Sequence, residues 1–253
     1  MDLTWSVIAQ KANLYEGREN MKRIALIAIV LSLAVLTVPG TVAQLVIPPD
    51  AVAYGRTYSD WSAAWEQWAD SIPASNHPLM DNGDCSVGQS GPVWFLGGKF
   101  CALNNPNCST NNVVRSCSIP AHKALYVAVM NGEDSVLEEQ NPQKQIGEIR
   151  SYLASVMDGV AVSFELDGMK IPHLKDYFRV QSPAFVFTIP EDNFFTAVGE
   201  GPFVGGSYYP GVDYGVYVML PPLRPGPHKI HFHGYMPAFN FTLDVTYNLM
   251  VGK

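Results

Sequence analysis

From residue 160 onward the chain is cut into short apolar runs by clusters of proline and glycine, and this punctuation constrains the fold more than any other feature. The clusters are Pro190, Gly201-Pro202, Gly205-Gly206, Pro221-Pro222 and Pro225-Gly226-Pro227. Proline lacks an amide donor and glycine lacks a Cβ, so neither suits the interior of a long helix. Residues 160–166 alternate apolar and polar, Asp167-Gly168 makes a turn, and Lys170-Ile171 resumes the pattern, which is a hairpin signal. Residues 185–189, 216–220, 229–233 and 241–249 are further strand candidates. Several short strands separated by turns predict a mainly β fold, an antiparallel β-sandwich or jelly roll with two attached amphipathic helices.

The two helices announce themselves upstream. Thr57-Tyr58-Ser59-Asp60 has the form of a capping box with Asp in place of Glu. Tyr54, Tyr58, Trp61, Trp65 and Trp68 follow at spacings of 4, 3, 4 and 3, one aromatic face expected to dock on the domain. Glu66, Gln67 and Asp70 lie off that stripe and read as its wet side, and Pro73 ends the helix. Residues 125–130 read as a buried strand. The second helix is expected to start at Asn141-Pro142, to bury Ile146, Ile149, Leu153, Val156 and Met157, and to stop at Gly159. No period of roughly 20 to 50 residues recurs, so a repeat array is excluded.

Residues 21–43 have the composition of an export signal: Lys22 and Arg23, an apolar run over residues 24–38, Pro39-Gly40, then small residues at Thr41 and Ala43. The run is fifteen residues long, short of the roughly 20 a membrane-spanning helix needs. Cleavage is expected after Ala43, leaving residues 44–253 as a single domain, secreted or periplasmic and not held in a membrane. Residues 1–20 precede a complete signal and read as an extension upstream of a start at Met21. The mature portion carries 12 Lys+Arg against 20 Asp+Glu, a formal charge of -8. With no basic stripe, nucleic acid is an unsuitable partner.

Cys85, Cys101, Cys108 and Cys117 fall within 33 residues, and an even set in an exported chain reads as two disulfides. Of three connectivities the nested one is favoured, Cys85 with Cys117 and Cys101 with Cys108, because the turn-rich residues 102–107 (ALNNPN) close a small loop. The outer bond would join the ends of a strand pair made by residues 91–96 and 113–119. The wide cysteine spacings lack the close pairs typical of zinc chelation.

His231 and His233 are two apart on a predicted strand and so share a face, with imidazoles about 7 Å apart that could form half a zinc or copper site. His122, His173 and Asp244 are the loose candidates for a third ligand, while His228 falls on the opposite face and is expected to hold the Pro-Gly-Pro turn. Residues 205–214, with Tyr208, Tyr209 and Tyr214, read as a Gly/Tyr loop suited to binding. Residues 74–89 are a polar loop in which Asp81 and Asp84 lack the full calcium-loop signature. Glu191-Asp192 and Glu138-Glu139 are adjacent acids that read as surface charge, since adjacency says nothing about catalytic separation. No nucleophile elbow and no His-Glu-x-x-His run occurs.

Residues 58–69 (YSDWSAAWEQWA), residues 84–97 (DCSVGQSGPVWFLG) with residues 117–120 (CSIP), and a C-terminal part with MLPPLRPGPHKIHFHG and LDVTYNL together resemble a family of exported bacterial proteins of uncharacterised activity. The resemblance covers nearly all of the mature chain. It implies export and the outer cystine, because cysteines matching Cys85 and Cys117 recur in the family, whereas Cys101 and Cys108 are an addition. It places His228 at a recurring histidine and His231 and His233 at variable positions. The leading expectation is an exported non-enzymatic binding or envelope-associated domain with no cofactor and a glycan or envelope component as partner. The rivals are a hydrolase of cell-wall or environmental polymers and a metal-binding protein using His231 and His233.

Overall fold

The computed structural model describes residues 45–100, 112–139 and 145–252. All of these belong to one compact unit, Val42–Lys253. The expected export signal, the start at Met21 and the bond between Cys101 and Cys108 lie outside the described residues. None of the described helices is long and apolar enough to cross a membrane.

The fold is mainly β, with two five-stranded sheets. The first has the order β1 (Val93–Leu96), β3 (Ala124–Ser135), β8 (Gly206–Leu220) and β6 (Arg179–Gln181), and β7 (Phe185–Ile189) continues the edge along β8. The second runs β2 (Val113–Ile119), β10 (Phe241–Val251), β9 (Gly226–Met236), β4 (Ala161–Leu166) and β5 (Met169–Lys170). Both are mixed rather than antiparallel, because β1 pairs parallel with β3 and β2 pairs parallel with β10. The expected strand pair of residues 91–96 and 113–119 therefore does not form: its two members lie in different sheets. The Cys85–Cys117 disulfide does form, and it ties the segment leading into β1 to strand β2.

The two sheets contribute to one core. Phe164, Phe232 and Tyr247 stack in a row across β4, β9 and β10 with centroids 6.3 and 6.4 Å apart. They share a buried cluster with Val127, Val216 and Val218 of the first sheet. Helix α1 (Tyr58–Asp70) covers the other face of that sheet, so β3 is buried on both sides along residues 124–130, which explains its continuous apolar run. Asp167 and Gly168 turn the β4–β5 hairpin with φ of 52° and 79°, as expected from their sequence.

The capping box of α1 is present: Asp60 N donates to Thr57 Oγ1 at 3.2 Å and Thr57 N to Asp60 Oδ2 at 3.1 Å. Its aromatic face docks as expected, and each indole donates to a backbone carbonyl: Trp61 to Ala53 at 2.9 Å, Trp65 to Leu96 at 2.9 Å and Trp68 to Val87 at 3.1 Å. Tyr54 does not belong to this face; it precedes the helix with φ 53° and is exposed. Helix α3 (Ile146–Met157) is capped by Gln145, four residues beyond the expected Asn141 cap, which lies outside the described residues. It buries Ile149, Leu153, Val156 and Met157. The described residues also form three one-turn α-helices, α2 (Val136–Glu139), α4 (Leu174–Tyr177) and α5 (Phe194–Val198).

Candidate functional site

The site arises where β1 runs out. Its last pairing is Leu96 with Val127, so among the described residues β3 has no strand on its β1 side from Ala128 onward. At this point the β3–β8 register shifts between Ala128 and Met130. One extra residue reverses which side chains face α1. Beyond the bulge Asn131 and Glu133 face the helix, opposite Gly215 and Asp213 of β8.

Helix α1 brings two more acids to this place. Glu66 and Asp70 are buried, at 2% and 0% exposure, and of the three residues read as the wet side only Gln67 is exposed. The helix also meets β3, β6, β7 and β8, and this leaves it almost no wet face. Asn131 Nδ2 donates to Glu66 Oε1 at 2.6 Å and reaches Asp213 Oδ1 at 3.4 Å. Tyr217 OH points at the same Glu66 oxygen at 3.4 Å. Helix α2 adds Glu138, whose Oε2 accepts from Ser135 Oγ at 2.9 Å. Glu138 is not the surface charge expected from sequence: it is half-buried, with its carboxyl held at Ser135.

Neither oxygen of Asp70 finds a hydrogen-bond partner, the Glu133 carboxyl meets the Glu138 carboxyl, and the oxygens of Asp70 and Glu133 are closed off from solvent. Among the described residues no lysine or arginine pairs with Glu66, Asp70, Glu133, Glu138 or Asp213. Burial is the main cause that pushes these acids upward: Glu66, Asp70 and Glu133 well above the usual range, Glu138 to about 8 and Asp213 to about 6. Repulsion between neighbouring carboxyls adds to the shift of the first three.

A cavity of about 580 Å³ opens beside this cluster. Glu66, Glu133 and Glu138 stand in its wall, and Trp65, Tyr152 and Leu153 add apolar surface. Phe100, Phe194 and Phe195 form another wall, with Phe194 stacked 4.2 Å from Phe100 and 4.0 Å from Phe195. Sequence reasoning missed this site. The signal present was two carboxylates, Glu66 and Asp70, at helical spacing beside a run of tryptophans.

The residues singled out from sequence lie elsewhere. Tyr208, Tyr209 and Tyr214 belong to strand β8 and not to a loop. Tyr208 packs on Phe187 and donates to Val204 O at 2.6 Å, Tyr209 is exposed, and Tyr214 lies under the Arg179 guanidinium. Adjacent strand residues point to opposite faces, so Tyr208 and Tyr209 diverge. His231 and His233 do share the outer face of the second sheet, with Asp244 between them at 3.3 and 3.6 Å. Among the described residues no group of three or more His, Cys, Asp or Glu side chains is arranged to hold a metal ion. His122 and His173 occupy turns with φ of 66° and 58°. His228 holds its turn as expected, contacting Arg224 O at 2.9 Å and Asp167 Oδ2 at 2.7 Å. Asp81 is occupied by Lys99 and Arg115, each at 2.7 Å, and Asp84 caps Ser86 N, so the two do not share a cation. Glu191 and Asp192 are exposed as expected.

No protein-family model matches the chain, and no curated protein matches it. Among solved structures, PbICP-C in complex with falcipain-2 is similar over 64% of this chain and 99% of its own, at 11% identity and a TM-score of 0.21. The cysteine protease inhibitor EhICP2 from Entamoeba histolytica is similar over 63% of this chain and 94% of its own, at 12% identity and a TM-score of 0.20.

Proposed function

We propose that this chain is an exported binding domain that takes a small organic ligand into the cavity between α1, β3 and the Phe100–Phe194–Phe195 wall. The observation that carries the reading is the cavity itself. Its size, about 580 Å³, falls within the roughly 300 to 1,000 Å³ of small-molecule sites, and it combines aromatic walls with a few converging polar groups. The disulfide fits an oxidising compartment, as do the signal-like residues 21–43 and the resemblance to exported bacterial proteins. Tyr208, Tyr209 and Tyr214 are not gathered on one face, so the binding function moves from them to the cavity.

A hydrolase is the second reading, favoured by the Asn131 amide that reaches both Glu66 and Asp213. Catalysis by a carboxyl pair needs both members to reach the substrate. Asp213 is fully buried and does not stand in the cavity wall, which favours binding over turnover. The test is a thermal-shift screen of small organic compounds on the wild type and on Gly132→Leu. Gly132 lines the cavity, and a Cβ there meets only Leu153 Cδ2 at 3.5 Å. Compounds that stabilise the wild type and lose that effect in Gly132→Leu support the reading. Stabilisation that persists in the variant, or turnover of a polymer substrate, overturns it.

A further inference from the structure

The walls of the cavity differ in chemistry. Acidic residues from three separate elements line it: Glu66 from α1, Glu133 and Asp134 from β3, Glu138 and Glu139 from α2, with Glu200 beyond α5. The one lysine among the lining residues, Lys99, has its ammonium 2.7 Å from Asp81. Glu133 is the sharpest of these groups: both its oxygens are shielded from solvent, its hydrogen-bonding neighbour is another carboxyl, Glu138, and the side chain stands in the cavity wall. Glu66, Glu133 and Glu138 stand around one space with no lysine or arginine paired to them among the described residues, which favours an occupant that brings positive charge.

Two kinds of occupant would bring it. A bare metal ion needs several oxygens converging on one point at about 2 to 2.6 Å, and no such convergence exists among the described residues. The space is also far larger than an ion, and its other walls are the aromatic rings of Trp65, Phe100, Phe194 and Phe195. Aromatic faces attract organic cations and accommodate apolar bodies. A ligand with an ammonium group on an apolar body would give its N–H donors to the acid wall and its hydrocarbon to the rings.

We infer that the ligand class of this cavity is an organic ammonium compound, held by Glu133 and Glu66 at its charged end and by the Phe100–Phe194–Phe195 wall at its apolar end. The inference rests on the proposed binding function and names what that function selects.

Isothermal titration calorimetry on the purified protein tests it with a panel of arylalkyl and alkyl amines, the matching neutral alcohols, the matching carboxylates, and calcium or zinc alone. The amines bind at least tenfold more tightly than the alcohols. Glu133→Gln and Glu66→Gln, which keep side-chain shape, abolish that preference while circular dichroism shows an unchanged fold. If alcohols or carboxylates bind as tightly as amines, the charge selection is overturned and the cavity remains a binding site. If the metals bind and the amines do not, the ligand class is overturned. If no member of the panel binds, the inference and the proposed function both fall.

Discussion

Asn131 donates its side-chain amide to Glu66 Oε1 at 2.6 Å, joining a residue of β3 to a helix 65 positions earlier in the chain. The same nitrogen reaches Asp213 at 3.4 Å, so one neutral side chain holds two acids from two elements. Geometry of this kind survives burial when at least one acid is protonated, because two ionised carboxylates that close repel strongly in a low dielectric. The cluster is accordingly a store of protons in the folded state, and it makes stability depend on pH.

The sign follows from where each acid titrates. An acid raised above its unfolded value keeps a proton that the unfolded chain has already released, so stability falls as pH rises between the two values. For Glu138 that interval runs from 4.5 to about 8, and for Asp213 from 3.8 to about 6. Glu66, Asp70 and Glu133 act in the same direction. His77 opposes them: burial lowers it from 6.5 to about 4, so its contribution is lost as pH falls through that range. Five acids against one histidine predict a melting temperature that declines from about pH 5.5 to about pH 8.5. Thermal unfolding at constant ionic strength checks this, and Glu138→Gln flattens the decline. A melting temperature that climbs with pH over that interval contradicts the shared-proton description.

Gly215 sits opposite Asn131 in the β3–β8 register, and the approach is close. A Cβ added there would lie 2.4 Å from Asn131 Cβ and 2.8 Å from its Cα. These atoms are fixed by the strand and cannot swing aside. Gly215→Ala is expected to cost about 1–3 kcal/mol and to move Asn131 off Glu66. Gly147 in α3 has open space around its added Cβ, so Gly147→Ala should stabilise by about 0.5–1 kcal/mol. Urea unfolding of the two variants measures the difference in sign.

Helix α1 was legible because every signal for it is local: a hydroxyl and an acid three apart, and tryptophans repeating at helical spacing. Strand β7 was legible at residues 185–189 for the same reason, since alternation and a following proline mark its ends. The acid cluster was not. A glutamate beside tryptophans on a helix reads as the solvated side, and only packing against β3, β6, β7 and β8 removes the water. The side of β3 that carries Asn131 and Glu133 depends on a bulge at residue 129, which alternation alone does not locate. The partners of β1 and β2 were misassigned because neighbours in sequence usually pair, whereas here each adds in parallel to a strand of a different sheet.

Arg115 gathers a second polar centre around Asp81, Gly98 and Tyr247. Its Nε donates to Asp81 at 2.7 Å, and its Nη1 donates to Gly98 O and Tyr247 OH, each at 2.7 Å. The side chain is only 10% exposed. Removing Arg115 leaves Gly98 O and Tyr247 OH without its donor, while Asp81 keeps Lys99 and is 38% exposed, so the loss is about 1–3 kcal/mol. Arg115→Met should approach that loss. Arg115→Lys should recover little of it, because an ammonium cannot serve three directions with the planar fork of a guanidinium. Chemical denaturation of both variants at neutral pH reads the two values, and full recovery in Arg115→Lys would show that charge alone matters.

The Cys85–Cys117 bond closes a loop with a sequence separation of 32, joining the segment before β1 to β2 in the other sheet. Since no strand pairing links β1 with β2, this bond is the direct covalent tie between the segments that were expected to pair. Closing a loop of that length restricts the unfolded chain and stabilises the fold by about 3–4 kcal/mol. The double variant Cys85→Ser with Cys117→Ser should lose that amount in urea unfolding under oxidising conditions, and a reducing agent should cost the variant less than it costs the wild type. Peptide mapping without reduction supplies the independent check. A fragment linking Cys85 to Cys117 is expected, and a map that joins Cys85 to Cys101 or Cys108 instead would overturn both the bond and the attachment of the β1 segment that depends on it.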